Sequence, residues 1–554
     1  MTAFLDTEYI LYLFQDPAEP PIIPHPYLPF LGHVIGLFYY GSSYWDRVNT
    51  GYDYPIFTLQ TLNARTVGIV DTTVTGVVHK HHPGRSFYGM IMEVTCRLVG
   101  FKDESMTVIR HNLDNVNGSG EGLMLESHAM VSSVLSPGPV LNQLTSTLVD
   151  QFAQFFNGFE NEWVGSLMNF VKDAFTQANA YTIYGAKNHF ALHPELVEQF
   201  WTYEEGMISV MAITTTSSLV PSNLLGWIFA RKAWQARKVI NAALAKYVAQ
   251  GHYKHASPLI QKRVPINLKH GLTTEEAGKA ELILFFGILG NAVPSAFWVL
   301  ANIFARPDLL QKIREETEKV VDMQKNKDGK VVKTLDVTRL KTECPWIVSV
   351  YRETLRTIGN LSSVRFVRET HEVSVPVKGN DKETKRWIVK AGSNIQIASA
   401  VIHRLKDVWG YDADYFKPER FMENTVAIEE REMKNTATGN HSKGGADEKV
   451  RGDTFTALPL PLLVPSVAFR TFGGGSVICP GRHFALTEIL AFIALCVLNC
   501  DIEDGTLEGE TMKLPVPDET RIPLSVMKPV EEPWVRIKRR EGNEHGSVLW
   551  KTEL

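Results

Sequence analysis

The chain has 554 residues, 44% of them hydrophobic and 21% charged, with a formal net charge of −4. That length buries a large core and accommodates two or three domains without requiring them. The near-neutral balance gives no global basic field for nucleic acid or an anionic membrane. The five cysteines, at 96, 344, 479, 496 and 500, form no CxxC pair and no regular framework. This argues against a disulfide scaffold and for a reducing compartment. Cys496 and Cys500, four apart on an apolar run, read as core packing.

The first stretch, "AFLDTEYILYLF", carries Asp6 and Glu8 and lacks a basic flank, so it reads as neither a spanning helix nor a signal peptide. No segment reaches the roughly 18 to 20 consecutive apolar residues of a spanning helix. "DPAEPPIIPHPYLPFLGH" follows, with six prolines between Pro17 and Pro29. It predicts an extended, stiff hinge, which divides residues 1–30 from a globular body over 31–554. "YPIFTLQ" and "ARTVGIV" read as strands. Residues 84–127 read as irregular and glycine-bearing. "LNQLTSTLVDQFAQFFNGF" is an amphipathic helix over 141–159. The apolar stretch 206–229, broken by Pro221, reads as either buried helix pairs or a surface-inserting loop.

Thr273 and Glu276 form a capping box before the longest helical pattern, which runs to Phe304 and is apolar on nearly every side. Pro307 starts another helix, and "PWIVSVYRETLRTIG" is a further one. "EVSVPV", "RWIVK" and "SNIQIAS" are short strands around a turn at 379–381. Residues 423–455 are polar and read as a solvated insertion. The fold class is mainly α with small β-sheets near both ends.

The segment "FRTFGGGSVICPGRHFALTEIL" places three glycines before a lone cysteine and a helix. A dinucleotide fingerprint fails, because Ile478 stands where its last glycine belongs. A nucleophilic cysteine lacks a nearby base other than His483, which helix geometry points away. A structural cysteine leaves the glycines unexplained. A metal thiolate accounts for both: a helix N-terminus lowers the thiol pKa. Gly473, Gly474, Gly475 and Gly481 admit a flat partner, and Phe472 shields the sulfur. Haem iron with one thiolate ligand has that character.

"FGGGSVICPGR" resembles the F-x-x-G-x-x-x-C-x-G haem loop of the cytochromes P450. "ETLR" (Glu353, Arg356) and "PERF" (with Arg420) stand in the order that family shows. A surface pair three residues apart is the bland alternative for Glu353 and Arg356. The resemblance implies instead a buried Glu–Arg–Arg lock, a haem cofactor held by Cys479, and a long central helix over the haem.

Other positions depart from the family pattern. The residue two before the cysteine, often a propionate-binding Arg or His, is Val477. The resemblance then implies Arg368, in "RFVRET", as a propionate donor. His128 is a second candidate, weighed against a core histidine. The central helix reads "ILGNAVPSAFW" where monooxygenases of this family carry an acid–alcohol pair. Pro294 cannot donate to the Gly290 carbonyl. The helix is therefore expected to open at Gly290–Asn291, with Asn291 and Ser295 serving a proton relay; a packing kink is the alternative. The pattern is similar to the branch with cholesterol 7α-hydroxylase, sterol 12α-hydroxylase and prostacyclin synthase, which includes both oxygen-inserting enzymes and an isomerase.

The resemblance implies an oxidoreductase: a monooxygenase taking electrons from NADPH through a P450 reductase and using O2 on an apolar small molecule. The substrate expected is terpenoid, steroid, polyketide or fatty-acyl in body. A haem isomerase or dehydratase acting on a peroxide without a reductase is the second reading, and a haem sensor or carrier the third. No nucleic acid is expected. Relatives of this type sit on the endoplasmic reticulum, so peripheral membrane contact on its cytoplasmic face is expected.

Overall fold

A helix apolar on all sides has no solvent face and has to run through the middle of a fold. Residues Thr274–Phe304 do so as one helix of 31 residues. The Thr273 hydroxyl accepts the N–H of Glu276 at 3.2 Å. The reciprocal half of the expected capping box is not made. Glu276 turns its carboxylate to the N–H of Lys102 (3.2 Å) and to the Lys279 ammonium (2.5 Å) instead. Against this helix pack Leu167–Tyr184, Arg231–Ala249, Pro345–Ile358 and Arg482–Asn499. The central helix and Arg482–Asn499 are both long and apolar enough to cross a membrane by composition, and both lie in the core.

The computed structural model describes residues 16–28, 31–61, 65–216, 230–360, 362–377, 380–422, 464–520 and 526–554. The first fifteen residues, the whole of the polar insertion 423–455 and the second half of the stretch 206–229 lie outside the described residues, as does Gly379 of the predicted turn.

The largest sheet has five strands in the order Ile56–Gln60, Arg65–Ile69, Asn394–Ala398, Ser362–Val367 and Arg85–Ser86. It joins the two ends of the sequence, because Asn394–Ala398 runs parallel to Arg65–Ile69 and antiparallel to Ser362–Val367. Two three-stranded sheets and the hairpin His371–Val377/Asn380–Val389 complete the β structure.

Two expectations are corrected. Residues 84–127 contain two helices, Tyr88–Val99 and Asp103–Arg110. Cys96, Met106 and Ile109 close a small core with Leu123 and Leu272; the glycines belong to the turn that follows. The proline-rich stretch is docked on the body and is not a free hinge. Ile23 is 1% exposed, its N–H reaches the Thr58 carbonyl at 3.0 Å, and Thr58 N–H reaches Pro21 at 2.8 Å. Proline has no N–H to give a sheet, but its carbonyl still accepts, so the stretch lies along an edge strand.

Candidate active site

Cys479 stands at the end of a tight loop, three residues before the first residue of the helix Arg482–Asn499. The loop closes on itself: Cys479 N–H donates to the Phe472 carbonyl at 2.9 Å, and Gly473 N–H to that of Arg470 at 2.9 Å. Gly473 turns the chain at φ +76°. The next two glycines admit a protein neighbour. A Cβ on Gly474 would sit 2.4 Å from the His79 ring, and one on Gly475 would sit 2.6 Å from the His79 carbonyl oxygen. Part of the glycine run therefore makes room for the helix Thr72–His79, a purpose the sequence reading did not foresee. A Cβ on Gly481 would lie 3.7 Å from the Cys479 sulfur.

Burial pushes the Cys479 thiol up, while the N–H groups of Gly481 and Arg482 and the Arg482 charge pull it down. This reverses the expected direction: the helix N-terminus does act on the sulfur, but desolvation outweighs it. The donor set is still that of a site for an anionic sulfur.

Beside the loop three arginines converge. Arg470 is 1% exposed and Arg365 8%. Arg470 donates to the Ser363 hydroxyl at 2.8 Å and lies 3.3 Å from His79 Nδ1. Arg365 donates to the Val364 carbonyl at 2.8 Å and to that of Gly474 at 3.4 Å. Arg85 donates to the Val78 carbonyl at 2.8 Å. Among the described residues no carboxylate pairs with any of the three, and Arg85 Nε, Arg470 Nε and His79 Nε2 are buried without a partner. Burial and the charge of Arg365 bring Arg470 down to about 9. Burial and Arg85 bring Arg365 to about 10, and burial with the arginines holds His79 near 3. Buried cations without counter-charge are costly, so the cluster is built for an anion of more than one charge.

Under the loop lies the predicted lock. Glu353 and Arg356 form a two-pronged pair at 2.7 and 2.8 Å, with neither side chain exposed. Glu353 also reaches Arg420 at 3.6 Å and accepts the N–H of Lys417 at 2.9 Å. Arg420 is held in turn by Asp412 at 2.9 Å. Arg356 and Arg420 thus meet through Glu353.

The scan against family models matches residues 24–525 to the model described as Cytochrome P450. The chain belongs to the cytochrome P450 family. Its curated relatives include the Cytochrome P450 monooxygenase nodJ of Hypoxylon pulicicidum, 25% identical over 95% of this chain and 91% of that one. Others are Cytochrome P450 7A1 of Oryctolagus cuniculus, 25% identical over 50% of this chain and 48% of that one, and 25-hydroxycholesterol 7-alpha-hydroxylase of Rattus norvegicus, 22% identical over 67% of this chain and 80% of that one.

P450s bind haem through a cysteine thiolate, act with O2 and a redox partner on small molecules, and are oxidoreductases. The residues here fit that group. Cys479 would supply the sulfur, and the Arg85–Arg365–Arg470 cluster would supply the positive charge that two propionates require. Arg368 does not join it: its guanidinium donates to the Pro83 carbonyl at 2.6 Å and lies 3.8 Å from the Asp114 carboxylate. The reason is strand register. Ser363, Arg365 and Val367 share the buried face of Ser362–Val367, and Arg368 lies past its end. Period-two alternation was the signal that singles out Arg365. Arg470 was visible two residues before Phe472, but Arg85 and His79 required the tertiary fold.

His128 is half-buried on the helix Leu123–Leu135, its ring edge-on to Tyr88 at 5.8 Å; burial lowers its pKa. On the central helix, Pro294 and Ser295 are buried and Asn291 is exposed. The helix does not open at Gly290–Asn291 as expected. It stays helical across Pro294, held by the packing of residues 292–304, at the cost of the one hydrogen bond that Pro294 cannot make.

Proposed function

We propose that this P450 is a monooxygenase that inserts one oxygen atom of O2 into an apolar terpenoid, steroid or polyketide-like molecule in a biosynthetic pathway. Electrons come from NADPH through a cytochrome P450 reductase. The observation that carries this reading is the intact cysteine loop with its arginine cluster. The monooxygenase name of the relative that spans 95% of this chain supports it.

In this reading Cys479 would supply the sulfur ligand to the haem iron. Arg85, Arg365 and Arg470 hold the propionates, and His128 is a further donor from the Leu123–Leu135 helix. Haem, when bound, supplies dioxygen activation, with the thiolate favouring O–O cleavage. Phe472 and the loop backbone exclude water from the sulfur. Asn291 orients the proton donor, with Ser295 and the Gly290 carbonyl, to which Pro294 cannot donate, as its neighbours. Glu353, Arg356 and Arg420 position the loop. Residues 31–554 form the catalytic domain and 1–30 an N-terminal segment.

The test is co-expression with a P450 reductase, feeding of apolar metabolites under heavy-isotope dioxygen, and mass detection. A product with one labelled oxygen, formed only with NADPH, is expected. The absence of an acid–alcohol pair beside Asn291 and Pro294 is compatible with a second reading, a haem isomerase or dehydratase. An unlabelled, rearranged product of a peroxide, formed without NADPH, would establish it.

Contact with the cytoplasmic face of the endoplasmic reticulum is part of this proposal. Tyr27, Val34, Ile35, Phe38 and Tyr39 are all exposed on and beside the helix Gly32–Tyr40, an apolar patch suited to a lipid surface. Protein that stays in the supernatant at low salt would remove it.

A further inference from the structure

A cavity of about 650 Å³ lies between the helices Pro139–Gly158 and Leu167–Tyr184 and the strand Glu162–Ser166. None of its lining residues belongs to the cysteine loop, the arginine cluster or the central helix. Its walls are aromatic. Phe155, Phe159 and Trp163 stand around the buried Phe170, with ring centres 5.5, 5.7 and 5.6 Å from it. Packing on this shared hub holds the three rings in place. All three are only partly buried, and all three line the cavity. Gly165 seats the Trp163 ring, since a Cβ there would lie 2.5 Å from it.

The charge along this cavity has one sign. Its ionisable residues are Glu160, Glu162 and Asp173, with no lysine or arginine among them. Glu162 is answered by Arg536. Glu160 and Asp173 make no ion pair among the described residues. Asp173 is exposed, yet the protein around it desolvates its carboxyl enough to push it up, and the charge that pulls it down is that of Lys172. That lysine is engaged elsewhere: its ammonium lies 3.0 Å from Glu205 and 5.0 Å from the centre of the Trp201 ring.

The engagement of Lys172 shows what such a set of groups holds. Asp173 borders both this cavity and a neighbouring one lined by Lys172, Trp201 and Glu205. In the neighbouring one the chain itself sets an ammonium on an aromatic face beside a carboxylate. In the first, Arg539 stands 5.8 Å from the Phe159 ring. Phe155 and Trp163 have no cation over them among the described residues.

We propose that this cavity binds an organic cation, an ammonium group carried on an apolar body. The ring faces of Phe155 and Trp163 attract the cation through their quadrupoles. Asp173 and Glu160 add opposite charge beside them, and the aromatic walls cover the hydrocarbon. A neutral molecule of the same shape gains only the last of these. The volume suits a small organic ligand. Nothing in this site depends on the haem.

The test uses full-length holoprotein titrated by calorimetry with benzyltrimethylammonium as the cation and 3-phenylpropan-1-ol as the neutral probe. A quaternary nitrogen has no lone pair to ligate iron, and the Soret band, recorded in the same titrations, reports entry into the haem pocket. Wild type should bind the cation with a Kd below about 1 mM and the neutral probe at least about tenfold more weakly. Trp163→Leu should weaken the cation at least about fivefold and Asp173→Asn at least about threefold, and added salt should weaken it further. Asp173→Asn keeps the size of an exposed side chain, so it carries the test even where Trp163→Leu disturbs the fold. Equal affinity for the two probes, wild-type affinity in Asp173→Asn, no binding heat at about 10 mM cation, or a Soret shift that saturates together with the heat would each overturn the inference.

Discussion

The ring of His403 accepts the backbone N–H of Arg470 through Nε2 at 2.8 Å. Its Nδ1 lies 2.9 Å from the Gly359 carbonyl, which places the proton on Nδ1. Burial and the neighbouring arginines hold the ring neutral, with its pKa near 3. The carbonyl of the same residue accepts from Arg356 at 2.6 Å. One buried histidine therefore joins the Glu353–Arg356 lock to the segment that leads into the cysteine loop. A shift in the lock is transmitted to Arg470 two residues before the loop begins.

Glu353→Ala leaves Arg356 buried without its partner. Breaking such a pair costs roughly 3–5 kcal/mol. His403→Ala removes two neutral hydrogen bonds and a ring, at about 1–3 kcal/mol. Denaturant unfolding of the holoproteins should rank them in that order, and both should lower haem content. Wild-type stability in Glu353→Ala would show that the lock is ornamental.

Arg470→Leu removes a cation from the cluster and its bond to Ser363. Haem should transfer to an excess of apomyoglobin faster than from wild type. Arg470→Lys should retain haem only partly, because a point charge replaces a planar fork. Arg368→Leu serves as the control and should leave the transfer rate unchanged. If Arg368→Leu released haem as readily as Arg470→Leu, the assignment of the propionates to the buried face of Ser362–Val367 would be wrong.

The two glycines against His79 make distinguishable predictions. Gly474→Ala collides with a side chain, so His79→Ala should relieve it in the double variant. Gly475→Ala collides with the His79 backbone oxygen and sits at φ +70°, so the same second substitution should not help. The left-handed angle alone costs Ala about 1–2 kcal/mol. Thermal unfolding of the four proteins decides it: rescue at both positions or at neither would contradict this packing.

The motifs that name the family were legible because they are local. Glu353 and Arg356 share one helix turn, and only Pro480 and Gly481 separate Cys479 from a helix. The central helix was legible from its all-round apolarity. What escaped the sequence depends on contacts between distant segments. The helices at 88–99 and 103–110 bury a few residues against Leu123 and Leu272, too few to outweigh the look of a glycine-rich stretch. The hairpin Val321–Lys325/Val331–Asp336 is polar on most positions and is held by the C-terminal strand Val548–Glu553, more than 200 residues on. The opening expected at Gly290–Asn291 is absent because the packing of residues 292–304 outweighs one lost hydrogen bond. The choice of Arg368 over Arg365 was made by proximity, without strand register, which puts Arg365 on the buried face of Ser362–Val367 and Arg368 past its end.

Glu488 lies fully buried on the helix after the cysteine, with the Asn179 amide at 3.2 Å. Burial pushes its pKa up to about 8. The folded protein therefore keeps a proton that the unfolded chain gives up near 4.5. That contribution is fully present below pH 4.5 and is lost as pH rises toward 8, at up to about 1.4 kcal/mol per pH unit. Glu316, raised to about 7 by burial, acts in the same direction over the lower part of the window. The buried histidines act oppositely. His79 and His403 are held near 3, so their contribution falls away only below the ordinary value of 6.5. At pH 6.5 the unfolded chain still holds about half a proton on each such histidine, so over the lower part of this range the histidines oppose the carboxyls, and only toward pH 8 are they neutral in both states. The Glu488 contribution therefore shows as a difference between two proteins. Glu488→Gln should gain stability relative to wild type as pH rises from 6.5 to 8. Denaturant midpoints at half-unit pH steps measure both curves. A difference that stays constant across that interval would mean that Glu488 is ionised in the folded core.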